Sequence, residues 1–154
     1  MTQTLAEFWQ ACRTALPAET EGQAYRTRQF GNNPEIARQL LELILAREKT
    51  GTFAVDWEFD SRPGERPSPG DLYVITDHAG VPGALVRITA TEVVPFDQIS
   101  ERHVQCEGPA LRAVVPWRQV HWDYWTRTLG EIGREPAADM PILYQEFELL
   151  YPAA

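Results

Sequence analysis

Apolar residues along the first segment recur at helical spacing. Leu5, Phe8, Trp9, Cys12 and Leu16 follow one another at three- and four-residue intervals, which predicts an amphipathic helix over residues 4–16. Thr4 and Glu7 form a capping-box pattern at its start, and Pro17 is expected to end it. A polar connection follows, carrying Tyr25 and then Phe30-Gly31-Asn32. Asn33-Pro34-Glu35 reads as the start of a second helix, with Asn as cap and Pro in the first turn. Ile36, Leu40, Leu43 and Ile44 carry its apolar stripe toward Arg47, and Gly51 is the expected stop.

Beyond Gly51 the period changes to two. Phe53, Val55, Trp57 and Phe59 alternate with Thr52, Ala54, Asp56 and Glu58, so a strand begins at Thr52, whose side chain faces away from the apolar side. Residues 61–70 are loop by composition. Leu72–Thr76 and Ala84–Val94 read as two strands, joined through Gly80, Pro82 and Gly83. Pro95-Phe96-Asp97 breaks the second strand, and a short helix is expected from Ser100 to Cys106 before an irregular Glu107-Gly108-Pro109. Pro116 is expected to open another helix, with Trp117, Val120, His121, Tyr124 and Thr128 on one stripe. Ile142–Leu150 closes the pattern as a strand. Strands without regular βαβ alternation favour an α+β fold over a doubly wound sheet. Long antiparallel strands with helices at one end suit closure into a small barrel.

Composition narrows the class. A chain of 154 residues with 44% hydrophobic content is expected to form one domain around a sizeable core. No run reaches the roughly 18 apolar residues of a membrane span, and the N-terminus lacks the features of a secretory signal, so a cytoplasmic protein with no membrane partner is expected. Cys12 and Cys106 make no disulfide framework and read as buried apolar filler. A formal charge of −8 argues against broad binding to a phosphate backbone and suits a small, near-neutral substrate, while a local basic pocket stays open.

Several chemistries are excluded: the chain has no phosphate-binding Gly-rich loop, no G-x-S-x-G elbow and no zinc-deaminase pattern. His103, Cys106 and Glu107 stand within one helical turn, but no second ligand pair lies nearby, which favours a structural or solvent-facing His103 over a metal ligand. Among the aromatics after Pro116, Trp117 and Tyr124 fit core packing, and Trp122 fits a pocket edge. The segment Arg47-Glu48-Lys49-Thr50-Gly51-Thr52 places an amine at a helix end and a hydroxyl three residues on. A bend there would bring them within reach, and a desolvated lysine can activate a threonine nucleophile. The plainer alternative is a lysine that favours a helix C-terminus.

From Tyr25 to Phe147 the chain resembles the ASCH family, a branch of the PUA-like barrels associated with RNA and nucleosides. The likeness is carried by Phe30-Gly31-Asn32, by Leu43–Thr52 against the hallmark G-x-K-x-x-T, by Pro69-Gly70-Asp71, and by Asp77 with Gly80 and Pro82. Val94–Asp97, Glu107-Gly108, and Trp117-Arg118 with His121 complete it. The resemblance implies a small mixed or antiparallel PUA-like β-barrel flanked by helices over residues 25–150, with residues 1–24 as an N-terminal helical extension. It also implies an activity, because family members include amidohydrolases of N4-acetylcytidine that use a Lys, a Thr three residues on and a distant Glu. Lys49, Thr52 and Glu107 match those catalytic places, and Phe30, Asn32, Arg47, Trp117, Arg118 and His121 match positions expected to bind substrate. No metal or organic cofactor is implied. The expected partner is a small-molecule nucleoside, with RNA as an alternative ligand, and the chain is expected to be a monomer or a homodimer. Two other activities stay open under the resemblance, a noncatalytic RNA- or nucleotide-binding module and a ribonuclease. Arg47 replaces the hallmark glycine, and Ala54 stands where some members carry a basic residue. Pro109–Ala113 replaces an acidic, Ser-containing run, which tilts the choice toward acyl-amide hydrolysis.

Overall fold

The structure is a computed structural model describing residues 2–153. Helix α1 (Leu5–Ala15) starts from a complete Thr4/Glu7 capping box. Pro17 does not end helical structure but opens a further turn, α2 (Pro17–Thr20), because a proline in a first turn forfeits no bonded N–H. Tyr25–Gln29, expected as connection, is strand β1. Helix α3 (Pro34–Leu45), capped by Asn33, leads to strand β2 (Gly51–Val55). The alternation beyond Val55 does not continue as strand, since Asp56–Phe59 turns into a 3-10 helix. Strands β3 (Leu72–Thr76) and β4 (Pro82–Pro95) form the expected hairpin, the second starting two residues early. Helix α4 (Glu101–Val104) is capped by Ser100, helix α5 (Val114–Glu131) follows, and strand β5 (Pro141–Tyr151) comes last. Pro116 lies inside the first turn of α5 rather than at its opening.

The five strands form one sheet in the order β1-β3-β4-β5-β2. Only β1–β3 is parallel; the other three pairings are antiparallel. The long β4–β5 ladder carries register shifts at Leu85/Val86 and Ile88/Ala90, which bend and coil it. Arg28 on β1 hydrogen-bonds Gln145 on β5 at 2.6 Å, although β3 and β4 lie between their strands. Across a flat sheet that separation would be roughly 14 Å. The sheet is therefore curled into a half-barrel, with Arg28 and Gln145 on its inner face. Its edge strands β1 and β2 flank the open seam, and α3 connects them.

Three apolar clusters hold this shape. Leu72, Val74 and Leu85 pack against Phe8 and Cys12 of α1. The opposite side of the same strands, through Tyr73, Ile75 and Val86, packs with Ile44 of α3 and Phe147. Strand β3 is thus buried on both faces. The third cluster joins Phe53, Val55, Ile142 and Tyr144 to Trp117, Trp125 and Leu129 of α5. Here the expected stripe needs correction: Tyr124 is exposed and Trp125 is the core residue, so the buried line runs 117, 121, 125 and 129. Both cysteines are buried and free. Among the described residues no helix is long and apolar enough to cross a membrane.

Candidate active site

The end of α3 decides where Lys49 goes. Arg47 donates its N–H to the Ile44 carbonyl, and Glu48 donates to Leu43, the paired bonds of a helix-terminating motif. The first of these donors must take a left-handed backbone, and Arg47 does so at φ 60°. This is why glycine suits the third position of the pattern counted back from Lys49. A side chain there costs about 1–2 kcal/mol of local strain without preventing the turn. The Lys49 N–H also bonds Leu43, so the chain reverses tightly and enters β2.

Two further contacts lock the reversal. The Thr50 N–H donates to Cys106 and its carbonyl accepts from Phe147, which ties the turn to the α4 end and to β5. Gly51 has no room for a side chain, because a Cβ would lie 2.5 Å from the Gln145 carbonyl and 2.9 Å from the Cys106 side chain. Arg112, in the run that departs from the family pattern, donates to the carbonyls of both Glu48 and Glu107 at 2.7 and 2.8 Å. It staples together the two loops that carry the site.

Lys49 and Glu107 meet as a result. Lys49 Nζ lies 2.5 Å from Glu107 Oε1 and donates to the Gly51 carbonyl at 2.8 Å, with both side chains almost completely buried. Lys49 is the only lysine in the chain; the other 13 cationic side chains are arginines. An amine can give up its proton inside a protein and a guanidinium cannot, so the one position that uses lysine is the one deeply buried in an ion pair. His121 Nε2 stands 4.0 Å from Glu107 Oε2, and His121 Nδ1 donates to the Trp117 carbonyl at 2.9 Å. Burial holds His121 below the usual imidazole range; Glu107 opposes the shift and Lys49 adds to it. Its neutral form therefore turns an unprotonated Nε2 toward Glu107.

Thr52 is buried on β2 directly opposite Gln145, on the inner face, and its hydroxyl makes no hydrogen bond among the described residues. The turn brings Lys49 and Glu107 into contact and leaves Thr52 one residue beyond the carbonyl that Lys49 grips. Cys106 is no rival nucleophile, because burial pushes its thiol up to about 12. His103 faces away, its Nδ1 accepting from the Ser100 N–H, so the trio with Cys106 and Glu107 does not converge.

The remaining expected site residues divide. The Phe30 ring lies 5.5 Å from Lys49 Nζ and faces Phe147. Asn32 is exposed, and among the described residues its side chain accepts only from Asn33. Trp117 is completely buried and reaches the site only by stacking on His121 at 4.3 Å, which does not fit the expectation that it touches substrate. Arg118 is taken up by the carbonyls of Asp97 and Ile99, and exposed Arg47 reaches Leu149. Arg28 and Gln145, which no sequence pattern marked, occupy the inner face beside Thr52. An open groove of about 430 Å³ runs past Arg28 and Tyr73. A larger depression of about 580 Å³ lies between α1 and α2, and none of these groups lines it.

Comparison with known proteins agrees with this architecture. An ASCH domain from Lactobacillus crispatus JV V101 superposes with a TM-score of 0.85 at 24% identity, covering 94% of this chain and 92% of that one. A protein from Enterococcus faecalis V583 gives 0.82 at 23% identity, covering 95% and 92%. No curated protein matches by sequence. The ASCH domain profile matches residues 26–151, and the half-barrel with its flanking helices is the PUA-like fold: this chain belongs to the ASCH domain family.

Proposed function

We propose that the protein is an amidohydrolase that removes the acyl group from the exocyclic amine of an N4-acylated cytosine nucleoside such as N4-acetylcytidine. The observation that carries this reading is the buried 2.5 Å contact between Lys49 and Glu107, with a threonine hydroxyl three residues after the lysine that no group among the described residues uses. Moving one proton across that contact turns an ammonium–carboxylate pair into a free amine and a carboxylic acid, a base and an acid side by side.

From that neutral pair, Lys49 takes the proton of Thr52 as Oγ1 attacks the acyl carbonyl. The C–N bond breaks, Glu107 protonates the leaving amine, and an acyl-threonine ester remains beside an ammonium–carboxylate pair. Glu107 then takes a proton from water as the water oxygen attacks the ester. Lys49 returns its proton to the departing threonine oxygen, the acid is released, and the neutral pair is restored. His121 turns Nε2 toward Glu107 Oε2 at 4.0 Å and lines the acid's side of the pair without bonding it.

Conversion of N4-acetylcytidine to cytidine, followed by chromatography, tests the reading. Thr52→Ala should lower turnover by more than about 10³-fold while the folded spectrum is unchanged. Retained activity in folded Thr52→Ala protein removes the nucleophile assignment. No product across short and long acyl groups shifts the reading to a noncatalytic nucleotide- or RNA-binding ASCH module.

A further inference from the structure

We propose that Arg28, with Arg26 and Arg62 beside it, forms a phosphate subsite continuous with the Lys49–Thr52–Glu107 cleft, so that the acylated cytosine is taken as a nucleotide. The choice of cytosine rests on the function proposed above; the phosphate subsite rests on its own geometry.

Most arginines of this chain outside the cleft are answered by the protein. Arg38, Arg66, Arg87, Arg102 and Arg134 pair with carboxylates, and Arg112 and Arg118 grip backbone carbonyls. Arg28 is different. It is half-buried inside the half-barrel, with the rings of Phe30 and Tyr73 at 5.4 and 5.5 Å, yet among the described residues no carboxylate comes within 4.0 Å of it. Its one hydrogen bond goes to the neutral Gln145 amide at 2.6 Å. Among the described residues the other guanidinium nitrogens have no acceptor, and they are not sealed from solvent. A guanidinium withdrawn from bulk water with only the more distant Glu58 carboxylate to offset it is costly, and an anionic ligand in contact relieves that cost. Its planar fork matches two oxygens of a phosphate.

The groove past Arg28 is also lined by Arg26, 3.8 Å from Asp71, and by Arg62, paired with Glu65 at 2.6 Å, so Arg28 is its one lining arginine with no carboxylate in contact among the described residues. Its volume of about 430 Å³ is within the range that holds a small organic ligand. Two residues link Arg28 to Lys49 and Thr52. Phe30 carries Arg28 on its ring and has Lys49 Nζ at 5.5 Å, while Gln145 holds Arg28 and pairs with Thr52 across the β2–β5 ladder. A ligand bonded to Arg28 therefore extends toward the threonine hydroxyl.

Calorimetric titration of the wild-type protein with cytidine, cytidine 5′-monophosphate and the dinucleotide CpA tests the subsite without any turnover. The monophosphate should bind about tenfold or more tightly than cytidine, with the gap closing as salt rises. Arg28→Gln should abolish the gap. Arg62→Gln, an exposed change that leaves the core intact, should narrow it. Equal binding of cytidine and its monophosphate, or an undiminished gap in both folded variants, overturns the proposal. Tighter binding of the monophosphate than of CpA assigns the subsite to a mononucleotide, and the reverse assigns it to an RNA strand; either supports a phosphate subsite. Phosphate discrimination in a protein that hydrolyses no acyl amide removes the proposed reaction and keeps the subsite.

Discussion

Helix α3 carries ion pairs of two kinds. On its outer face Arg38 bonds Glu35 and Glu42 at 2.5 and 2.7 Å, with all three side chains more than half exposed. Just beyond its C-terminus Lys49 bonds Glu107 at 2.5 Å with 4% and 7% of the side chains exposed. Distance does not separate the two kinds; water does. Exposed pairs are screened and pay rotamer entropy, so their net contribution is small. The buried pair gives up hydration that its mutual attraction returns only with good geometry and further hydrogen bonds. Stability alone does not explain such a pair, because apolar residues of similar size would serve as well. The proposed reaction, with Thr52 three residues along from Lys49, gives it a use.

The difference can be broken experimentally, starting where it is largest. Lys49→Met leaves Glu107 buried without its partner and should destabilise the fold by about 3–5 kcal/mol in urea denaturation. Adding Glu107→Leu should recover most of that loss while activity stays absent. Equal destabilisation of the single and double variants would show that the pair is a structural strut rather than a catalytic one. The neighbouring His121 gives a smaller, pH-dependent effect. Its folded pKa lies below the ordinary 6.5, so the folded state binds its proton less readily than the unfolded state. The stability this provides is complete above about pH 6.5 and drains away as pH falls through the folded value. The slope cannot exceed about 1.4 kcal/mol per pH unit for one proton. His121→Asn should flatten urea stability measured between pH 7.5 and 5.5; an unchanged slope would place the acid sensitivity elsewhere. Next comes Arg47→Gly, which relieves the left-handed strain at φ 60° and should stabilise the fold by about 1 kcal/mol, read as a raised denaturation midpoint. Smallest of all, Arg38→Ala should leave the midpoint within experimental error, and a clear drop would put the two kinds of pair on one footing.

Much of the helical framework and the central hairpin was legible because each of those segments buries one face and leaves a periodic record. Strand β1 was not. Tyr-Arg-Thr-Arg-Gln shows no apolar alternation, because this edge strand half-buries only Tyr25, on the side of α1, and Arg28, on the opposite inner face. The stripe of α5 was misjudged for the converse reason: aromatics stand on several faces of that helix, and only packing against Phe53 and Phe96 shows that Trp125, not Tyr124, is inside. The lysine–threonine turn was visible as spacing. Glu107 was reached only through family resemblance, since no local pattern joins residues 58 apart. Arg28 and Gln145, 117 residues apart, were invisible to both, because their contact exists only once the sheet has curled.

The solitary lysine has a practical consequence. With Lys49 the one lysine, isotope labelling of lysine introduces a single side-chain amine signal for the whole molecule, and that signal comes from the buried pair with Glu107. Its chemical shift reads the protonation of one group directly as pH, acyl substrate or nucleotide is varied. Comparing it in wild-type and Glu107→Gln protein follows the proton that the proposed reaction moves, with no background to subtract.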